Sequence, residues 1–289
     1  MVKVNPPTVP VSPVKSGTVP AASAALDSTA DALVYPARAT VTVTLDETPG
    51  ARPETTTDEP VAVVQGHSPD NGWRELAEAC IALRAGADWV ACNIDTTLPT
   101  DRGLLPGNGA MVAALVAATG LTPRVAGKPE RPLLDAAVSR VNSRRPLVVG
   151  DRLDTDIACA HAAGVPSLMV FTGVSSAADL LAAAPELRPT FLAFDLRGLV
   201  DEDRTARIPT GVTAGARSVE WSVEADDGRL VLASGGQGSD VPQAVSDAGA
   251  LRALAMLAAT AWASGLTAVH AQDQAAAAAL WRCKLAGAT

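Results

Sequence analysis

The sequence predicts an α/β protein, in which a parallel sheet packed with helices is followed by a small α+β module. Two observations support this fold class. From Val61 to about residue 173, short apolar runs alternate with helical patterns, as in parallel strands joined by helices. Beyond residue 215 the pattern changes, because two alternating runs flank Asp226-Asp227-Gly228 and indicate a β-hairpin.

The individual elements follow from apolar periodicity and from the residues that interrupt it. In the α/β region we predict strands at 61–64, 89–92, 124–126, 146–150 and 167–171, and helices at 73–85, 110–118, 131–141 and 154–163. Residues 93–99 are predicted to form a polar loop. The C-terminal module, residues 215–289, is predicted to hold strands at 219–223, 229–233 and 267–270 and helices at 241–263 and 272–285.

Residues 1–59 have a different composition from the rest of the chain. They are rich in proline, threonine and serine, which predicts disordered or non-homologous sequence. One β-branched run, Thr40 to Leu45, interrupts this segment.

Composition and charge exclude several classes of function. The 289 residues carry a formal charge of −8 and no block of basic residues, so nucleic-acid binding is not expected. The most apolar stretch is alanine-rich and contains Arg252, so no membrane span is expected either. The four cysteines lie far apart and form no C-x-x-C motif, which argues against a zinc site or a disulfide framework. We expect a cytoplasmic protein.

Two motifs place charged side chains at the ends of predicted strands. Val148-Val149-Gly150 leads into Asp151, with Asp154 and Asp156 close behind, and Gly127 precedes Lys128 after the strand at 124–126. Ligands bind at the carboxyl ends of strands in open α/β sheets, carboxylates suit Mg²⁺, and a lysine can neutralise a phosphoryl oxygen. We read Asp151, Asp156 and Lys128 as functional. Asp154 is read as a residue that favours a helix N-terminus.

Together these motifs resemble motifs three and four of the haloacid dehalogenase (HAD) phosphatases. Residues 93–99 and 103–109 look like loops that close the large α/β cap of the branch containing NagD, 4-nitrophenylphosphatase and phosphoglycolate phosphatase. The strongest likeness is to actinobacterial glycerol 3-phosphate phosphatases, which carry a similar C-terminal module.

The resemblance implies an incomplete HAD-like Rossmannoid core and a remnant cap. It divides the chain into a partial cap at 60–123, a core at 124–205 and the C-terminal module at 215–289. It implies Lys128 and Asp156 as catalytic residues, Asp151 as a Mg²⁺ ligand, and Asn93 and Asp95 as cap residues near the substrate entrance. The expected partner is a small phosphorylated metabolite, and a homodimer is left open.

The family's nucleophile motif, D-x-D-G-T, is absent from these 289 residues. Its closest imitation is Thr44-Leu45-Asp46-Glu47-Thr48, where threonine replaces the nucleophile. Three explanations stay open: a gene truncated or frame-shifted upstream, a pseudoenzyme, or a partner chain that supplies the missing half. The sequence thus supports two hypotheses. One is a Mg²⁺-dependent phosphatase of a small phosphomonoester such as glycerol 3-phosphate, although the missing motif puts its catalytic activity in question. The other is an inactive protein that binds metal or phosphate.

Overall fold

A computed structural model describes residues 33–36, 60–213, 215–235 and 245–285 of the chain. The chain divides into two compact units, residues 1–144 and 145–289. Two sequence predictions fall outside the described residues: the β-branched run at 40–45 and the imitation motif at 44–48.

The first unit is built around a four-stranded sheet with the order β1-β2-β3-β6. Strands β2, β3 and β6 are parallel, and β1 pairs antiparallel with β2. The elements in chain order are β1 (Leu33–Pro36), β2 (Pro60–Gln65), α1 (Trp73–Arg84), β3 (Asp88–Ala91), β4 (Thr97–Thr100), β5 (Gly103–Pro106), α2 (Asn108–Thr119), β6 (Arg124–Val125) and α3 (Pro132–Arg140).

The core of this unit lies between the sheet and helices α1 and α2. Val63 and Ala91 on the strands are fully buried, and Leu83 and Leu115 on the helices are nearly so. Trp89 joins this core, and its indole N–H donates a hydrogen bond to the buried Gln65 side chain at 3.1 Å. The strands and helices predicted between 61 and 141 are confirmed, with ends shifted by a few residues.

Two local predictions for the first unit need correction. Residues 97–106 were expected in loops but form the antiparallel hairpin of β4 and β5, with Pro99 and Pro106 within its strands. Proline is tolerated there because the two strands form a separate sheet in which each has a free edge. Residues 33–36, in the segment expected to be disordered or non-homologous, are not disordered but form a strand that pairs with the edge of β2. Strand β6 extends the first sheet by pairing with β3. The domain division expected at 123/124 stays a prediction.

The second unit contains two further four-stranded sheets. One has the order β10-β9-β8-β7, with β7, β8 and β9 parallel, and the other has the order β11-β12-β13-β14. The elements are β7 (Val148–Gly150), a π-helical turn (Leu153–Ile157), α4 (Ala158–Ala163), β8 (Ser167–Val170), α5 (Ala177–Leu181), β9 (Phe191–Ala193), β10 (Ala206–Arg207), β11 (Gly215–Arg217), β12 (Trp221–Asp226), β13 (Arg229–Ser234), α6 (Asp247–Ser264), β14 (Val269–Ala271) and α7 (Gln274–Arg282).

Helix α6 occupies the centre of the second unit's core. Leu254, Leu257 and Ala258 are fully buried, as are Val223 and Leu232 on the adjacent hairpin. A chain with 3% aromatic residues fills this core with alanine and leucine, so the elements pack closely. The hairpin predicted around residues 226–228 is confirmed as β12 and β13. Within the described parts of the chain, no helix is both long enough and apolar enough to cross a membrane.

Candidate active site

Asp151 is fixed at the carboxyl end of β7 by the loop that follows the neighbouring strand β8. Its side-chain Oδ2 accepts a hydrogen bond from the main-chain N–H of Val174 at 2.8 Å. Its main-chain oxygen accepts a second bond from the N–H of Ser175 at 3.0 Å. The carboxylate is therefore held by the backbone of the loop that follows an adjacent parallel strand, at the sheet edge where ligands bind in such folds.

Two glycines allow the carboxylates of this unit to approach the backbone. A Cβ on Gly173 would lie 1.8 Å from Oδ2 of Asp151, and one on Gly150 would lie 2.2 Å from Cγ of Asp156. Any side chain at either position would displace a carboxylate. The glycines are needed for close approach rather than for an unusual backbone angle.

Asp156 is buried on the π-helical turn, and its side chain accepts a main-chain hydrogen bond from the loop that follows β7. It is 5% exposed, and its Oδ2 accepts a hydrogen bond from the main-chain N–H of Arg152 at 3.1 Å. The Arg152 side chain forms a two-pronged ion pair with Asp154, with distances of 3.0 and 2.7 Å. Asp154 thus pairs with a neighbouring arginine, while Asp156 holds the loop that carries Asp151.

In the first unit, Lys128 and Asp95 meet at the carboxyl ends of β6 and β3. The Lys128 Nζ lies 3.3 Å from Oδ2 of Asp95, and their side chains are 40% and 18% exposed. The main-chain oxygen of Lys128 also accepts the N–H of Ile94 at 3.3 Å. Parallel pairing of β3 with β6 is what brings the two loops together, because it aligns the strand ends.

The loop at residues 93–95 is shaped by the first turn of α2. The side-chain amide of buried Asn108 donates to the main-chain oxygens of Asn93 at 2.6 Å and Gln65 at 3.3 Å. Asn93 in turn accepts the N–H of Asp95 through its side-chain oxygen at 3.2 Å. Asn93 therefore orders the turn that presents Asp95 to Lys128.

Sequence reasoning missed the residues that position this loop. Asn108 was predicted only to lie in the loop at 103–109 and was given no role of its own. Its flanking glycines pack against the carbonyl groups of the loop at 93–95. A Cβ on Gly107 or Gly109 would lie 2.3 or 2.2 Å from the carbonyl oxygens of Asp95 and Ile94. The Gly-Asn-Gly triplet at the start of an apolar helix was the available signal, since a tightly packed polar residue there needs small neighbours.

The predicted site residues therefore form two groups, one in each compact unit. Asn93, Asp95 and Lys128 are together in the first, and Asp151 and Asp156 are together in the second. No group of three or more His, Cys, Asp or Glu residues suited to hold a metal ion occurs within the described ranges. Mg²⁺ is commonly bound through one or two carboxylates, with waters and phosphate oxygens completing its shell, so Asp151 fits as a single ligand.

Comparison with protein families covers two of these strand ends, those of β6 and β7. Residues 125–199 match the HAD-hydrolase-like family. These residues belong to the haloacid dehalogenase superfamily. The HAD-like region includes Lys128, Asp151 and Asp156, and the fold matches that of a solved HAD-like phosphatase.

Relatives of known activity extend the similarity beyond the HAD-like region. The chain is 48% identical over 232 residues to D-glycerol 3-phosphate phosphatase of Mycobacterium tuberculosis, covering 79% of this chain and 64% of that protein. A solved structure of glycerol phosphate phosphatase from the same organism, in complex with magnesium, matches with a TM-score of 0.66 and 47% identity over the same shares of both chains. A 5′-nucleotidase of Bacillus subtilis is 38% identical over 115 residues, covering 39% of this chain and 45% of that protein. The chain thus spans less than two thirds of the length of these relatives.

Proposed function

We propose that this chain carries metal- and phosphate-binding residues of a Mg²⁺-dependent HAD phosphatase that acts on a small phosphomonoester. The observation that carries the proposal is the Lys128–Asp95 ion pair at the carboxyl ends of two parallel strands. A lysine held there by a carboxylate keeps its ammonium group oriented and half-exposed, as a phosphoryl group requires. Glycerol 3-phosphate is the specific substrate proposed, since the mycobacterial relative acts on it.

Each residue then has a defined role in the proposed site. Lys128 neutralises phosphoryl oxygens, which stabilises the negative charge that accumulates during transfer. Asp95 orients the lysine, and Asn93 orders the turn before Asp95 next to the proposed substrate entrance. Asp151 provides a ligand oxygen for Mg²⁺, and Asp156 supports the loop through the N–H of Arg152. Bound Mg²⁺ would supply charge neutralisation at the phosphoryl group.

A second function is favoured by one sequence observation, the absence of D-x-D-G-T from these 289 residues. HAD phosphatases form a covalent aspartyl phosphate on that motif, so a chain without it would bind metal and phosphate but release no product. The alternative is therefore a binding or regulatory protein that uses the same Lys128 and Asp151. A homodimer and a cytoplasmic location remain further proposals for either function.

A hydrolysis assay separates the two functions. The full chain is incubated with Mg²⁺ and either 4-nitrophenyl phosphate or glycerol 3-phosphate, and released phosphate is measured. Turnover that is lost in Asp151→Asn and kept in the matched control Asp226→Asn, on an exposed hairpin position, supports the phosphatase. Magnesium binding without turnover, again lost in Asp151→Asn, supports the binding protein. Magnesium binding that survives in Asp151→Asn contradicts both.

A further inference from the structure

The loop that follows β2 lies at the same sheet edge as the Lys128–Asp95 ion pair. Strands β2, β3 and β6 are parallel neighbours in one sheet, so their carboxyl ends meet at one edge. Asp95 lies in the loop after β3, and Lys128 follows β6. Residues 66–72 form the loop after β2, and Trp73 is the first residue of helix α1. The topology therefore brings Trp73 to the edge that carries the lysine.

Hydrogen bonds fix this loop and the first turn of α1. The side-chain amide of Asn71 donates to the main-chain oxygen of Gly66 at 3.2 Å. The main-chain N–H of Gly72 donates to Oε2 of Glu75 at 2.8 Å, which caps the start of the helix. An ordered loop holds the backbone of Trp73 in place, so a ligand that binds there orders little of the chain.

The side chain of Trp73 is directed past the strand ends. Helix α1 begins at the carboxyl end of β2, and the Cα–Cβ bonds of a helix tilt toward its N-terminus. A helical side chain covers the turn before its own Cα, but the first residue of a helix has no such turn. Trp73 therefore extends toward solvent at this edge, in agreement with its exposed fraction of 82%.

The exposure of this ring distinguishes it from the other tryptophan of the first unit. Trp89 is 5% exposed, packs in the core and donates its indole N–H to Gln65. Trp73 has the highest exposed fraction among the large apolar side chains described in this unit, and it is not part of the described core. Its ring is thus available to bury the surface of a ligand, and an aromatic ligand would gain a specific stacking contact.

We propose that Trp73 is a specificity-determining residue that stacks on an aromatic ring of a phosphomonoester bound at Lys128. This inference rests on the phosphate site proposed above. Strands β2 and β6 are two strand spacings apart, about 10 Å, and both long side chains extend from the same edge. A substrate with a ring can therefore contact the lysine with its phosphate and the indole with its ring. The site then favours aromatic over aliphatic phosphomonoesters.

The test uses phosphonates, because their C–P bond is not hydrolysed and binding can be measured with Mg²⁺ present. The full chain is titrated by calorimetry with benzylphosphonate and with ethylphosphonate. Benzylphosphonate is expected to bind about five- to tenfold more tightly, the effect of one aromatic contact. Trp73→Ala should abolish this preference and leave the affinity for ethylphosphonate unchanged, whereas Trp73→Phe should keep most of it. The matched control Trp281→Ala, which removes a 73% exposed ring on α7, should keep the preference.

The possible failures are distinguishable. Ethylphosphonate binding without a preference for benzylphosphonate overturns this inference alone. A preference that survives in Trp73→Ala does the same, because the ring of the ligand then contacts another part of the chain. Failure of both phosphonates to bind overturns the proposed phosphate site together with the inference. Trp73 is exposed, so its variants should fold; circular dichroism checks this, and Trp73→Gln is a second variant with the same expected loss.

Discussion

Replacing Gly173 with alanine should disable Asp151 without touching it directly. The new Cβ would lie 1.8 Å from Oδ2 and 2.4 Å from Cγ of that carboxylate, whereas real Cβ atoms are essentially never within 3.0 Å of such a neighbour. The oxygen must therefore move by about 1.2 Å, which also breaks its hydrogen bond to the N–H of Val174. A misplacement of about 1 Å can cost about 100-fold in function, and overpacking costs about 1 to 3 kcal/mol of stability.

Calorimetric titration with Mg²⁺ measures the effect, and urea unfolding gives the change in stability. We expect Gly173→Ala to weaken Mg²⁺ binding by about 10- to 100-fold, the loss seen when the groups that orient a metal ligand are disturbed. Gly249→Ala, in the first turn of helix α6, is the matched control, because its Cβ would meet only side-chain atoms of Val245 and Ser246, at 3.3 and 3.4 Å. If Gly173→Ala folds and binds Mg²⁺ as the unmodified chain does, the proposed role of Asp151 is wrong.

Three further predictions concern single groups. Lys128→Met should weaken Mg²⁺-dependent phosphate binding by about tenfold or more, because a charged hydrogen bond is lost. Calorimetry with inorganic phosphate measures the affinity. An unchanged affinity would mean that the lysine pairs with Asp95 and does not contact the phosphate. Burial raises the pKa of the Cys92 thiol to about 11 and that of Cys283 to about 12, against an ordinary 9.0. Unfolded thiols ionise first, so the stability from these two groups is complete below pH 9 and is lost as the pH rises toward the folded values. Urea unfolding at pH 8 and pH 10 should show this loss, and a double alanine variant that loses as much would refute it. Leu254→Ala should lower the free energy of unfolding by about 2 to 5 kcal/mol, because Leu254 is fully buried in α6, and a smaller loss on chemical denaturation would contradict that packing.

The local pattern of the sequence was sufficient to predict the strands that carry the site. Val148-Val149-Gly150 is a short apolar run ended by glycine, and it is a strand followed directly by Asp151. Lys128 likewise follows the short strand β6. These predictions succeed because the signal for each strand, a short run that ends at or just before a glycine, lies in consecutive residues. The hairpin at 97–106 was missed because Pro99 and Pro106 argue against strands in a larger sheet.

Contacts between distant residues could not be predicted from the same pattern. Val174 holds the Asp151 carboxylate from 23 residues away, and Trp262 reaches Leu180 across 82 residues. Neither Val174 nor Leu180 has a local signal for this role, because each takes part through a main-chain N–H or carbonyl group and not through its side chain. The sequence therefore indicates which side chains have chemistry, while the fold decides what holds them in place.

The central claim is the proposal that Lys128 and Asp151 are both required for Mg²⁺-dependent phosphate binding. A double-mutant cycle tests it directly, using the Mg²⁺-dependent part of inorganic phosphate binding in the unmodified chain, Lys128→Met, Asp151→Asn and the double variant. Residues that act as one unit are strongly non-additive, so we expect the double variant to bind little worse than either single variant. Losses that simply add, or an absence of Mg²⁺-dependent phosphate binding in the unmodified chain, would contradict the claim.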